Sequence, residues 1–210
     1  MRSLRRYDRI LVWGIVYLLY VYMANDAWVG QDDLALFLET HLFHLQRYYF
    51  VVSIFFITYL YILKKPFTSP LFVTRSKPHY LRYVILHGLK LCGIYLAYTL
   101  LLFAGLSLGF GLTLQIRMDL ILQIVSFFCF LFATYLFYLF LLLKSEKQML
   151  SLLTPVAINF ILLIVYFALG TARQELAWKM NDILLASYPF LVIVMVMLLI
   201  FEHRRKEFLS

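Results

Sequence analysis

The stretch LILQIVSFFCFLFATYLFYLFLLL, residues 120–143, decides the fold. It runs without one charged side chain, and as an α-helix rising ~1.5 Å per residue it is long enough to cross the ~30 Å of hydrocarbon in a bilayer. Working outward, the same pattern recurs at residues 10–28, 48–63, 83–106, 152–169 and 183–201. The run at 48–63 is the short one and can borrow the apolar turn Leu42 to Leu45 ahead of it. Inside lipid only helices and closed barrels satisfy their own backbone groups, and none of these runs shows the period-2 alternation of barrel strands. The expected fold class is therefore all-α: a polytopic membrane protein of six transmembrane helices, forming one domain over residues 1–210.

Composition agrees. Apolar residues make up 64% of the chain and charged residues 14%, far from the ~45–50% and ~25% of soluble domains. The net charge of +8 could suggest nucleic acid, but its distribution argues for a membrane instead. With both termini inside, the inner segments collect fourteen of the nineteen basic residues against four acids, Asp8, Glu146, Glu202 and Glu207. The outer segments hold seven acids against Arg47, Arg117, Arg173 and Lys179. Such a basic bias predicts an N-in/C-in orientation and an affinity for anionic lipid headgroups, with no nucleic-acid partner. The first span lacks the small-x-small spacing of a signal-peptide cleavage site: Ala24, Asn25, Asp26 and Ala27 at its end do not supply it. Cys92 and Cys129 both fall within spans, so no disulfide framework is expected.

Two segments between spans carry structure of their own. In 25–47, Asp32 and Asp33 can cap a helix whose apolar residues Leu34, Phe37, Leu38, Leu42 and Leu45 recur at helical spacing. It reads either as an amphipathic helix on the outer surface or as an early start of span two. In 64–82, Ser69 is a suitable N-cap, Pro70 suits the first helical position, and Pro78 closes a brief helix near Lys77. Its apolar patch of Leu71, Phe72 and Val73 needs either the membrane interface or a partner protein to pack against. Thr154-Pro155 is read at the start of span five, where proline costs little, and Pro189 is expected to kink span six. Gly105 and Gly109 read as a packing motif or as a glycine turn closing span three. The aromatics of span four (Phe127, Phe128, Phe130, Phe132, Tyr135, Phe137, Tyr138 and Phe140) go round all faces, as lipid contact allows.

Chemistry is sparse. No phosphate-binding glycine loop, H-E-x-x-H or C-x-x-C is present, and no acid lies deep in a span, which argues against a proton- or sodium-coupled transporter. No catalytic residue, metal ligand or cofactor is assigned to the chain. His41 and His44, with Glu39 nearby, lack a third metal ligand and read as interfacial histidines. Lys90 is the one charge well inside a span boundary; it is a functional candidate that can also snorkel to the inner headgroups. With Arg75, Lys77 and Arg82 it forms a basic cluster at the inner mouth of span three. His87 and Cys92 lie five residues apart, which on a helix leaves them ~140° apart, so they cannot act as nucleophile and base unless the helix breaks at Gly88.

The string Arg75, Ser76, Lys77, Pro78, His79, Tyr80, followed by Lys90 and then Tyr95 and Tyr98, resembles the permease subunits of type-2 ABC exporters, above all the small ones of Gram-positive bacteria. That resemblance implies a bacterial plasma-membrane protein whose ATP is hydrolysed by a separate ABC ATPase subunit. Ser69, Leu71, Phe72, Val73, Arg75 and Lys77 would form the ATPase-coupling segment, and a second permease copy or paralogue would complete the pathway. The substrate would be hydrophobic or amphipathic: a peptide, a toxin or a lipid-like molecule. The family often has a re-entrant hairpin between spans five and six, for which 171–182 is too short. A runner-up reading is an intramembrane peptide-processing endopeptidase resembling the accessory-gene-regulator B proteins, with His87 and Cys92 as its pair. A third is a non-catalytic immunity or assembly subunit.

The orientation is open to direct test. In a chain with Cys92 and Cys129 replaced by alanine, Gln115→Cys should react with an impermeant maleimide in intact cells. Ser76→Cys and Ser210→Cys should react only after permeabilisation, and the reverse pattern would invert the topology.

Overall fold

Long uncharged runs with no backbone hydrogen-bond partner other than themselves form helices, and the computed structural model consists of them. It describes residues 53–63, 77–109, 118–145, 147–172 and 174–209. These comprise α1 (Ser53–Leu63), α2 (Lys77–Gly109), α3 (Met118–Ser145), α4 (Gln148–Ala172) and α5 (Gln174–Leu209), with no strand among the described residues. Four of the helices contain stretches long and apolar enough to cross a membrane: Leu81–Leu102, Leu120–Ser145, Met149–Leu169 and Ala186–Arg204. This is the build of a multi-pass membrane protein. The predicted span 10–28, the first part of span 48–63 and the segment 25–47 lie outside the described residues, with His41, His44 and Glu39.

From α2 onward the helices are longer than the predicted spans. Lys77, expected to end the brief helix before it, instead begins α2. Pro78 occupies the first turn, where its missing N–H belongs to an otherwise unpaired set. The 33 residues of α2 and the 36 of α5 rise ~50 Å each, so both project beyond the hydrocarbon. Most of 171–182 is the N-terminal part of α5, which continues as helix through Pro189. Pro155 lies two turns into α4 rather than at its start, because the helix already begins at Gln148. It therefore deprives the Ser151 carbonyl of its usual donor.

α3 is the axis. It packs most extensively against α5, then against α4 and α2, and also touches α1. Over half of its span is buried, against a third or less for the other three. From Phe130 to Leu136 seven consecutive residues are buried, almost two full turns with no side chain facing out. A helix apolar on all sides belongs inside a bundle. This corrects the lipid-contact reading of span four: Phe127, Phe130, Phe132, Tyr135 and Tyr138 are core residues. Phe130 meets Tyr188 of α5 edge-on at 5.2 Å. The exposed apolar side chains lie instead on one-sided helices: Leu86 and Leu101 on α2, Leu153 and Ile161 on α4, and Phe190 and Phe201 on α5.

The α2–α3 seam shows how tightly the axis is held. Val84, Gly88, Cys92, Tyr95 and Thr99 form one buried stripe of α2. Gly88 is required there, since a Cβ would fall inside the Tyr135 ring. The Tyr135 hydroxyl passes beyond it and donates to the Val84 carbonyl at 3.2 Å. α1 lies over the same helix, with Phe56 and Tyr59 both tilted against Tyr95 at 5.3 and 5.2 Å between centroids. Gly105 has open space around it and packs against nothing in the described chain, and α2 runs on through it without a turn.

Gly88→Ala should therefore destabilise the purified protein by about 1–3 kcal/mol, the usual cost of overpacking, read as a lowered unfolding midpoint in detergent. Gly105→Ala should leave the midpoint unchanged or raise it.

Candidate functional site

α2 carries the candidate residues that the structure describes. The start of the predicted coupling segment, Ser69, Leu71, Phe72, Val73 and Arg75, lies outside the described residues. Lys77 is the first residue of α2. Arg82 and Lys90 follow, and both are exposed. Lys90 is the tenth residue of the Leu81–Leu102 span. By helix geometry it projects ~200° from the centre of the buried stripe, so it faces lipid rather than the bundle interior. Neither cation makes an ion pair with another described residue, and α2 contains no acid at all.

His87 and Cys92 are not brought together. The helix is continuous through Gly88, because the glycine admits the Tyr135 ring rather than a break. Cys92 is fully buried on the core stripe and is a free thiol. His87 sits on the flank of the exposed face, stacked on Tyr83 at 5.9 Å with the rings 11° apart. Among the described residues no group of three or more histidines, cysteines or acids is placed to hold a metal.

Two polar features of the interior escaped the sequence reading. The first joins α4 to α1. Asn159 donates from Nδ2 to the Ser53 hydroxyl at 2.7 Å, with both side chains buried. Asn159 lies halfway along the Met149–Leu169 span. Ser53 is thereby held near mid-membrane, and α1, ~15 Å from Ser53 to Leu63, covers half the hydrocarbon thickness. An isolated asparagine in an apolar run gives no sign of its partner when that partner lies 106 residues away.

The second feature closes one end of the bundle. Ser145 Oγ lies 2.7 Å from the Leu141 carbonyl and Ser151 Oγ 2.9 Å from the Lys147 carbonyl. The two hydroxyls are 3.3 Å from one another, so two protons serve three contacts. These bonds cinch the turn between α3 and α4, with Ser151 N–H closing onto the Lys147 carbonyl as the first bond of α4. Near the same end of α5, Glu202 is buried, although the sequence reading placed it among the cytoplasmic charges. Its spacing from Tyr188, Met195 and Leu199 continues the buried stripe of α5, and that heptad-like register was the signal that could have found it.

No protein-family model matches the chain, no curated protein matches it, and no solved structure matches it.

The Asn159–Ser53 bond predicts a measurable coupling. In a double-mutant cycle of Ser53→Ala and Asn159→Leu, the interaction should come to about 0.6 kcal/mol and at most about 1.7. Strict additivity of the two unfolding shifts would mean that the pair does not hold α1 in place.

Proposed function

We propose that this chain is the membrane-spanning subunit of an ABC exporter in a bacterial plasma membrane, with six spans and both termini in the cytoplasm. The observation that carries the reading is the basic opening of α2. A proline-bounded segment with an apolar patch at Leu71, Phe72 and Val73 runs through Arg75 into Lys77, where a helix of 33 residues begins. Motion of that segment is transmitted along a rigid rod. α2 extends ~50 Å, and its Gly88 seam locks it to the axial helix α3. An ATPase subunit docked beneath the segment would tilt α2 and α3 together.

The filled axis supports a paired arrangement. α3 occupies the centre of the described bundle with aromatic side chains, so a translocation route belongs at the boundary between two copies or paralogues. The outward faces of α4 and α5, and of α2 beyond Lys90, carry exposed apolar side chains and suit a hydrophobic or amphipathic substrate such as a peptide, toxin or lipid-like molecule. ATP is bound and hydrolysed by the partner subunit, and this chain supplies the route and the lever.

The test is co-purification of the affinity-tagged chain with a phosphate-loop ATPase, read as ATP hydrolysis per mole of chain. The paired reversals Arg75→Glu and Lys77→Glu should reduce the co-purifying activity at least about tenfold, equivalent to ~1.4 kcal/mol of docking. Undiminished ATPase binding with residues 69–76 deleted would remove the coupling role. Absence of any ATPase from the wild-type complex would remove the exporter reading.

A further inference from the structure

The exposed face of α2 poses an electrostatic problem. A lysine near the centre of a bilayer costs about 2.5–3.5 kcal/mol by insertion measurements, and such residues usually turn inward to a partner or to water. Lys90 turns outward. Its position, ~13 Å along the helix from Leu81, is deep within the span Leu81–Leu102. No described residue forms an ion pair with it, and its direction leaves the charge to be answered from outside the described bundle.

The residues around it indicate what. Arg82, Tyr83, Leu86, His87 and Lys90 fall within about 140° of one another on the side of α2 away from the core, and none of the five is buried. Arg82 and Lys90 stand ~12 Å apart along the axis. Lys90 can snorkel toward the N-terminal end of α2, the direction in which helix side chains lean. That brings its ammonium to the level of Leu86, beside the stacked Tyr83–His87 pair and nearer to Arg82. Aromatic rings of this kind favour the headgroup boundary. Beyond Lys90 the same face becomes purely apolar, with Ile94 half exposed and Leu101 72% exposed. The sequence of surfaces is thus cation, aromatic shelf, cation, then a smooth apolar track.

We propose that this face binds one anionic phospholipid, its phosphate held between Arg82 and Lys90 against Tyr83 and His87, and its acyl chain lying along Ile94 and Leu101. Charge complementarity selects the occupant. This face offers two fixed cations, and α2 has no acid anywhere along it, so a phosphodiester is matched and a basic or zwitterionic group gains little. The guanidinium supplies a planar fork for phosphate oxygens and the ammonium a mobile point charge. The apolar track separates a lipid from free phosphate, which would have nothing to place against Ile94 and Leu101. The site stands independently of the exporter reading. The orientation proposed above assigns the lipid to the cytoplasmic leaflet.

Native mass spectrometry of the full-length chain, titrated in detergent with phosphatidylglycerol or phosphatidylcholine, tests the site without any ATPase present. One phosphatidylglycerol should be retained per chain at least about tenfold more tightly than phosphatidylcholine. Lys90→Gln and Arg82→Gln should each abolish most of that preference. Lys90→Arg should keep it, which separates loss of charge from loss of folding, and an unchanged unfolding midpoint checks the glutamine variants. Lys144→Gln should leave the preference intact, and millimolar inorganic phosphate should not displace the lipid. Equal retention of the two lipids, an equal loss in Lys144→Gln, or displacement by inorganic phosphate would each overturn the proposal.

Discussion

Everything in this bundle depends on two turns of one helix having nowhere to face but inward. Lipid is as apolar as leucine, so no hydrophobic force draws membrane helices together; close packing and a few internal hydrogen bonds must do it. From Phe130 to Leu136 α3 meets other helices in every direction. Among the described residues its neighbours each bury one face against it and leave the opposite face exposed. Even the single glycine requirement on α2 follows from this arrangement, since Gly88 yields its side-chain space to Tyr135 of the axial helix.

Polar groups fix the positions that packing leaves free. Tyr135 bonded to Val84 sets the register of α2, Asn159 bonded to Ser53 sets the depth of α1, and the paired serines close the α3–α4 turn. Thr58, Thr99 and Thr134 instead spend their protons on carbonyls of their own helices, which makes them cheap to bury but uninformative about neighbours. The described bundle thus has a filled centre, and the roles proposed above fall on the outward face of α2 and on the segment that leads into it.

Much of the fold was legible in the sequence because one physical rule dominates it. The four predicted spans from 83 onward each fall inside a helix of the structure, since length without charge is a sufficient signal in lipid. Their ends were less legible: hydropathy stops where the hydrocarbon stops, while α2 and α5 continue as helix into the polar layers. Which helix sits at the centre was missed, because an all-round apolar pattern fits lipid and protein surroundings equally. The aromatic density of 127–140 was compatible with both. Lys90 was found at once, a charge in an apolar run being conspicuous, but its outward direction depends on where α3 packs. Asn159 was passed over for the same reason: its meaning lies in a contact between helices, which no local pattern encodes.

The central claim is that α3 is the buried axis of the bundle, and residue-level labelling by a photoactivated carbene confined to the lipid phase tests it most directly. All seven positions from 130 to 136 should remain unlabelled in the reconstituted protein, while Leu122 and Val125, which are 61% and 50% exposed, should take up label. Labelling that rises and falls every three to four residues through 130–136 would show that one side of α3 faces lipid, and would contradict the architecture described.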